Sequence, residues 1–186
     1  IVFVVTFGAG LVVGLPSLRV NELYLALATF AIAFVGVQLL FEWKSFTSGG
    51  TGKPAGTLAF FGHEFERGVT LVRISLVVIV IVFWLVGNLI DGRTGRAMNA
   101  LRTSETAAKS VGLPVPWLKV LAFGLGGAFA GVAGVLYIHS IRRAIPENFG
   151  VNFSIIVILT LIIGGSHRLS GAAVGAMFVR WLPELV

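Results

Sequence analysis

The chain of 186 residues contains no cysteine. That excludes a disulfide framework, thiolate chemistry and a cysteine-ligated metal. Charge is also scarce: Asp, Glu, Lys and Arg make up 12% of the residues, about half of the roughly 25% carried by soluble domains. The eight carboxylates never pair inside an apolar stretch, so general acid–base catalysis has nothing to build on. His63, His139 and His167 have no second ligand at metal spacing, and no Ser/His/Asp constellation is apparent. The expectation is a protein with no catalytic residues, no metal site and no cofactor.

Apolar residues fill the space that charge leaves. Hydrophobic residues are 56% of the chain and the mean hydropathy is +0.97. Leu71 to Ile90 reads LVRISLVVIVIVFWLVGNLI, with one charge near its start. About 20 apolar residues make about 30 Å of helix, enough to cross the hydrocarbon of a bilayer. A soluble core does not need runs of that length. The net charge of +6 sits beside or between the apolar runs, which suits lipid headgroups and argues against a nucleic-acid partner. The fold class predicted is all-α: a polytopic helical transmembrane bundle.

Along the chain, Ile1 to Leu15 reads as the end of a span and Pro16 to Glu22 as a break. Leu23 to Phe41 is a second span without charge, followed by a Gly- and Thr-rich loop from Glu42 to Gly68. Leu71 to Ile90 is a third span, Asp91 to Pro116 a polar island, and Trp117 to Ser140 a fourth span. After a loop from Ile141 to Asn152 come two shorter apolar segments, Phe153 to Gly165 and Gly171 to Leu182, read as short helices or as partly re-entrant spans buried in protein. The chain begins and ends inside apolar runs, so the expectation is one transmembrane domain over residues 1–186, cut from a longer protein at both ends. Seven Lys and Arg (Arg19, Arg93, Arg96, Arg102, Lys109, Lys119, Arg168) fall on one side of the alternating spans. Six (Lys44, Lys53, Arg67, Arg73, Arg142, Arg143) fall on the other. That difference is too small for the positive-inside rule to orient the chain.

Two glycine-rich stretches invite nucleotide readings and fail them. TSGGTGKP, Thr47 to Pro54, would need Gly at Thr47 and Ser or Thr at Pro54 to be a phosphate loop. GLGGAFAGVAG, Gly124 to Gly134, would need Gly at Phe129 to be a dinucleotide fingerprint. The first reads as a turn cluster. The second holds Gly127-x-x-x-Gly131 and Ala130-x-x-x-Gly134, small residues on one helix face that let another helix come close. Gly127, Gly131 and Gly134 are therefore the expected helix-packing residues. Arg73 lies near enough to a span end to snorkel. Arg180, inside the last apolar segment, reads either as facing a bundle interior or watery path or, the favoured reading, as lying near an interface and paired with Glu184 four residues on.

The polar island carries helical punctuation. Thr103 is placed to cap a helix start, with Glu105 in the first turn, where the dipole favours an anion. Glu105 and Lys109 are four apart in the favourable order. Gly112 is placed to end the helix, and Pro114 prevents its continuation. Ala97, Met98 and Leu101 form a thin apolar stripe that Ala108 and Val111 extend, with Arg96, Asn99 and Arg102 outside it. The island thus reads as one bent helix or two short ones at the membrane surface. Its small side chains make a poor lipid anchor and a good docking knob.

These residues carry a family resemblance. ETAAKSVG, Glu105 to Gly112, resembles the EAA loop of ABC importer permeases: an acid, alanines, then a glycine. The longer stretch GRTGRAMNALRTSETAAKSVGLPVPWLKVLAFGLGGAFAGVAGVLY is more narrowly similar to the permease subunits of branched-chain amino acid importers of the Liv type. GLPSLRV, YLALATFA, SFTSGGTG, LSGAAVGA and LPEL follow the same family order. Asn21 and Glu22 stand where the family often has Arg and Gly, and His167 and Arg168 where it usually has small or apolar residues.

The resemblance implies an ATP-driven importer whose ATP is hydrolysed in a partner subunit. It puts residues 91–116 in the cytoplasm as a coupling loop, with Arg93 to Leu113 docked in a cleft of the ABC ATPase. The implied coupling residues are Arg96, Arg102, Glu105, Ala107, Ala108, Lys109 and Gly112. It further implies a second permease subunit, identical or different, a periplasmic or extracellular substrate-binding protein, and a bacterial or archaeal plasma membrane. The rival readings are an ion- or proton-coupled secondary carrier, which predicts ionisable sites at mid-membrane that the spans hardly offer, and a non-transporting membrane scaffold, which would not need the polar handle.

Overall fold

The computed structural model describes residues 1–18, 22–43, 53–54, 59–60, 63–64, 69–165 and 169–185. Helices dominate: α1 Val2–Gly14, α2 Glu22–Glu42, α3 Val69–Asp91, α4 Arg93–Thr103, α5 Glu105–Ser110, α6 Val115–Ile141, α7 Val151–Gly164 and α8 Leu169–Leu185. Short 3₁₀ turns cover Leu15–Leu18 and Pro146–Phe149. The strands are two-residue pieces: β1 Lys53–Pro54, β2 Ala59–Phe60, β3 His63–Glu64 and β4 Arg143–Ala144. They pair antiparallel, β1 with β4 and β2 with β3.

The all-α class holds, and α3 and α6, of 23 and 27 residues, are long and apolar enough to cross a membrane. At about 1.5 Å per residue each exceeds the roughly 30 Å of hydrocarbon. Helix α1, the centre of α2 (Leu27–Leu39) and α7 are shorter apolar helices. The two C-terminal segments left open by the sequence are both helical, of 14 and 17 residues. The polar island forms two helices, not one bent one.

The chain divides into two compact units. The first comprises Ile1–Thr29 and Ala55–Arg142. Its centre is α1 lying along α6, and close approach is possible because both helices offer glycine at the contact. A Cβ on Gly127 would stand 2.6 Å from the carbonyl oxygen of Thr6, and one on Gly131 would collide with the Thr6 side chain. From the other helix, a Cβ on Gly10 would stand 2.5 Å from the Phe123 carbonyl oxygen, and one on Gly14 would stand 2.9 Å from the Phe123 side chain. Thr6, Gly10 and Gly14 are themselves spaced by four, so small residues meet small residues. Phe3 meets Phe129 edge-on at 6.3 Å beyond this seam. A Cβ on Gly134 would meet nothing within 4 Å, so Gly134 lies outside the seam within this chain. The buried residues of α6 are Val115, Leu118, Val120, Gly124 and Ala128. On α3, by contrast, Val80 is 65% and Trp84 66% exposed, as a surface facing lipid tails allows.

The second unit comprises Phe30–Pro54 and Arg143–Val186, the boundary with the first falling inside α2. Here α7 packs on α8 through glycine again. A Cβ on Gly171 would collide with the carbonyl of Gly164, and one on Gly175 with that of Thr160. In the same unit β1 pairs with β4, Lys53 opposite Ala144 and Pro54 opposite Arg143. Lys53 and Pro54 thus meet Arg143 and Ala144 of the segment that precedes α7.

Candidate functional site

Helices α4 and α5 hold nearly all the charge of the structured polar region, and local sequence explains their shape. Gly92 is the N-cap of α4. Gly95 is buried because the new helix folds directly back on the old one: a Cβ there would collide with the carbonyl oxygens of Leu89 and Ile90 at the end of α3. Helix α4 ends at Ser104, whose extended backbone (φ −160°, ψ 118°) breaks the run. Ser104, not Thr103, caps α5: its Oγ accepts from the Ala107 N–H at 3.2 Å. Thr103 closes α4 instead, donating its hydroxyl to the Asn99 carbonyl at 3.0 Å. Both side chains can cap, and the backbone break one residue later decides between them.

The far end of α5 closes as the sequence predicts. Gly112 takes φ +79°, in the left-handed region open to glycine. Its N–H donates to the Lys109 carbonyl at 3.0 Å, and the Leu113 N–H reaches the Ala108 carbonyl at 3.1 Å. This crossed pair satisfies carbonyls that a helix end otherwise leaves open. Pro116 then stands in the first turn of α6, where its missing N–H costs nothing.

Glu105 is the electrostatic centre. Its two oxygens are held separately: Lys109 Nζ lies 2.9 Å from Oε1 and Lys119 Nζ 2.7 Å from Oε2. The Lys109 contact is the predicted four-residue pair within α5. Lys119 comes from the beginning of α6 and ties the six-residue helix to a membrane-length one. The two ammonium groups, Lys119 foremost, lower the Glu105 pKa from the ordinary 4.5 to about 2. With its side chain 33% exposed, the carboxylate is both paired and wetted.

The alanines divide between two roles. Ala108 is 3% exposed and forms the floor of an apolar groove of about 350 Å³, with Ala100, Thr103, Ala107, Val111 and Leu113 around it. Val111, expected to continue the inward stripe, stands on the rim at 80% exposure. Ala107, Lys109, Gly112, Arg96 and Arg102 are exposed. Of the residues expected to couple, Ala107 and Ala108 line this groove, whereas Gly127 and Gly131 lie in the α1–α6 seam.

Other sequence candidates fall into place. His139 donates from Nδ1 to the Val135 carbonyl at 2.7 Å, a local helix contact. The side chains of His63 and His167 lie outside the described residues, as do Thr47 to Gly52 of the glycine-rich loop and the side chain of Glu184, so the Arg180–Glu184 pairing is not described. Among the described residues no cluster of His, Asp and Glu could hold a metal ion.

Sequence reasoning missed Lys119 as a member of this site, because 14 residues and two prolines separate it from Glu105. It also missed the helix facing Gly127, although the Thr6-Gly10-Gly14 spacing was there to find. Gly171-x-x-x-Gly175 was an equally legible signal for the α7–α8 contact.

Comparison with known proteins agrees with this arrangement. Residues 1–186 match the family described as branched-chain amino acid transport system, permease component. The chain is 30% identical over 187 residues to the high-affinity branched-chain amino acid transport system permease protein LivM of Salmonella typhimurium, covering 87% of this chain and 44% of that protein. It is 27% identical over 173 residues to the probable branched-chain amino acid transport permease protein LivM of Methanocaldococcus jannaschii, covering 92% and 50%. It is 23% identical over 167 residues to the ribose import permease protein RbsC of Escherichia coli, covering 87% and 51%. The chain spans about half the length of the curated relatives it matches. No solved structure matches it. The sequence match over the whole chain, together with its membrane-length helices, places this chain in the branched-chain amino acid transport system permease family.

Proposed function

We propose that the chain is the membrane-embedded part of a permease subunit in an ATP-driven importer of branched-chain or related amino acids, in a bacterial or archaeal plasma membrane. Residues 91–116 are its cytoplasmic handle. The observation that carries this is the junction at Glu105: a short helix with exposed small residues, an apolar groove beside it, and an ion pair from Lys119 linking it to the start of α6. Such a joint passes force. An ATPase subunit seated against Ala107 and the groove moves α5 as its own dimer closes. Lys119 carries that motion into α6, Gly95 carries it into α3, and the spans tilt as bodies between outward and inward access.

The cytoplasmic placement of the handle orients everything else by alternation. The loops 42–68 and 141–152, joined by β1 and β4, face outward, where a substrate-binding protein meets them. A second permease subunit, identical or homologous, completes the path. The relatives named LivM and LivH support a pair of such subunits.

The test is uptake by the full-length permease reconstituted with its ATPase and binding protein. Labelled leucine should accumulate only with ATP inside the correct compartment, and labelled ribose should not. Leucine uptake driven by an ion gradient without ATP would overturn the reading in favour of a secondary carrier.

A further inference from the structure

Arginine stands where helix α4 is least suited to it. Arg93 opens the helix, Arg96 follows three residues on, and the first turn holds no acid. Cations there meet the positive end of the α4 dipole. They also stand beside the negative end of α3, because Gly92 alone separates the two helices. The two arginines use that place differently. Arg96 turns back across the bend and donates from Nη1 to the Asp91 carbonyl at 2.5 Å, while its own N–H donates to the Gly92 carbonyl at 3.1 Å. Arg93 has no hydrogen bond or ion pair among the described residues.

A helix leaves its last carbonyls without partners of its own, and those of α3 are taken up at this bend. The Asn88 and Leu89 carbonyls accept from the Gly92 N–H at 3.0 and 3.3 Å. The Leu89 and Ile90 carbonyls press against Gly95, where a Cβ would collide with them. The Asp91 carbonyl belongs to Arg96. Gly92, Gly95 and Arg96 thus close an elbow with a single non-helical residue and no slack. Both Asp91 and Arg96 are exposed, so the contact adds little to the stability of the fold; its effect is to hold an angle. The geometry points to Arg96 as a positioning residue that ties the end of α3 to α4, so that the two helices turn as one body. The inference rests on the transport reading above. It assigns Arg96 a role inside the permease, and leaves docking of the ATPase to Ala107 and the groove. Lys119 fastens α5 to α6 and Arg96 fastens α4 to α3, so a push delivered between them reaches both spans.

The experiment uses the assembled full-length importer in liposomes, with cysteine-free partner subunits and two spin-labelled cysteines in a chain that has none of its own. The labels go at Leu76 on α3 and Asn99 on α4, both exposed. Pulsed spin–spin distance measurement should give one narrow distribution, the same with and without ATP. Arg96→Met should broaden it. Arg96→Lys, whose ammonium can still donate to a carbonyl, should narrow it again. Arg93→Met, which removes the same charge from the same turn, should leave it narrow. In uptake, Arg96→Met should move several-fold less leucine per ATP hydrolysed, with Arg96→Lys recovering part of the loss, while a cysteine at Ala107 still crosslinks to the ATPase in full yield. An unchanged distribution or unchanged uptake per ATP in Arg96→Met overturns the proposal. So does equal broadening in Arg93→Met, or an α3–α4 distance that shifts with ATP in the otherwise unsubstituted chain. Loss of the Ala107 crosslink in Arg96→Met also overturns it, by making Arg96 a docking residue. Failure of the unsubstituted importer to take up leucine with ATP would instead defeat the transport reading, and the spin-label distances still decide the elbow.

Discussion

Lys119 Nζ lies 2.7 Å from Glu105 Oε2, so the first turns of a membrane-length helix hold the carboxylate of a surface helix 14 residues earlier in the chain. Glu105 has a second oxygen for Lys109, and the division of its two oxygens between two lysines gives the joint its direction. The Lys109 pair stiffens α5 internally. The Lys119 pair connects it to α6.

Removing the second connection should uncouple without unfolding. Glu105→Gln and Lys119→Met are each expected to lower uptake several-fold per ATP hydrolysed while the complex still assembles. The exchange Glu105→Lys with Lys119→Glu should recover part of that loss. Measuring uptake and ATP hydrolysis on the same proteoliposomes checks it. A double variant no better than either single one would show that the pair is not the link.

The depressed pKa of Glu105 fixes a pH window. Its folded value of about 2 lies below its ordinary 4.5, so its stabilising contribution is complete above about pH 4.5 and fades as pH falls towards 2. Thermal unfolding of purified wild type and Glu105→Gln in detergent should therefore differ most at about pH 6, with the gap narrowing below about pH 4.5 and closing only towards about pH 2. A gap that stays constant across that range would contradict the clamp.

Glycine seams make a graded prediction. Gly127→Leu and Gly131→Leu force α1 off α6 and should cost about 1–3 kcal/mol or more, seen as a lower melting temperature and folded yield. Gly134→Ala, where a Cβ meets nothing within 4 Å, should be close to neutral. Equal losses at Gly134 and Gly127 would mean that the seam is misplaced.

The helix caps of α5 are separable. Ser104→Ala should destabilise by about 1 kcal/mol, while Thr103→Ala, whose hydroxyl only bonds within α4, should cost much less. Gly112→Ala should cost about 1–2 kcal/mol because a Cβ disfavours the left-handed conformation. Amide hydrogen exchange across Glu105 to Ser110 reads all three.

The elements most legible in the sequence were those governed by local rules. The apolar run from Leu71 to Ile90 foretold α3, and Gly112 with Pro114 foretold the end of α5, because span length and left-handed glycine are settled within a few residues. Ser104 was misjudged in favour of Thr103 because two adjacent hydroxyl residues satisfy the same capping rule. Lys119 and the α1 face at Thr6, Gly10 and Gly14 went unread because they join the site only through tertiary packing. Gly134 was counted into a seam by spacing alone, and spacing cannot say where the partner helix ends.

The central claim, that α4 and α5 are the handle an ATPase subunit grips, is tested most directly by crosslinking in the assembled full-length importer. A single cysteine at Ala107, exposed on α5, paired with cysteines placed along the ATPase cleft, should form a crosslink whose yield changes when ATP binds. A control cysteine at Asn148, in the loop that the proposed orientation puts outside, should form none. Absence of any ATPase crosslink from positions along Arg102 to Gly112, with crosslinks from Asn148 instead, would contradict the account.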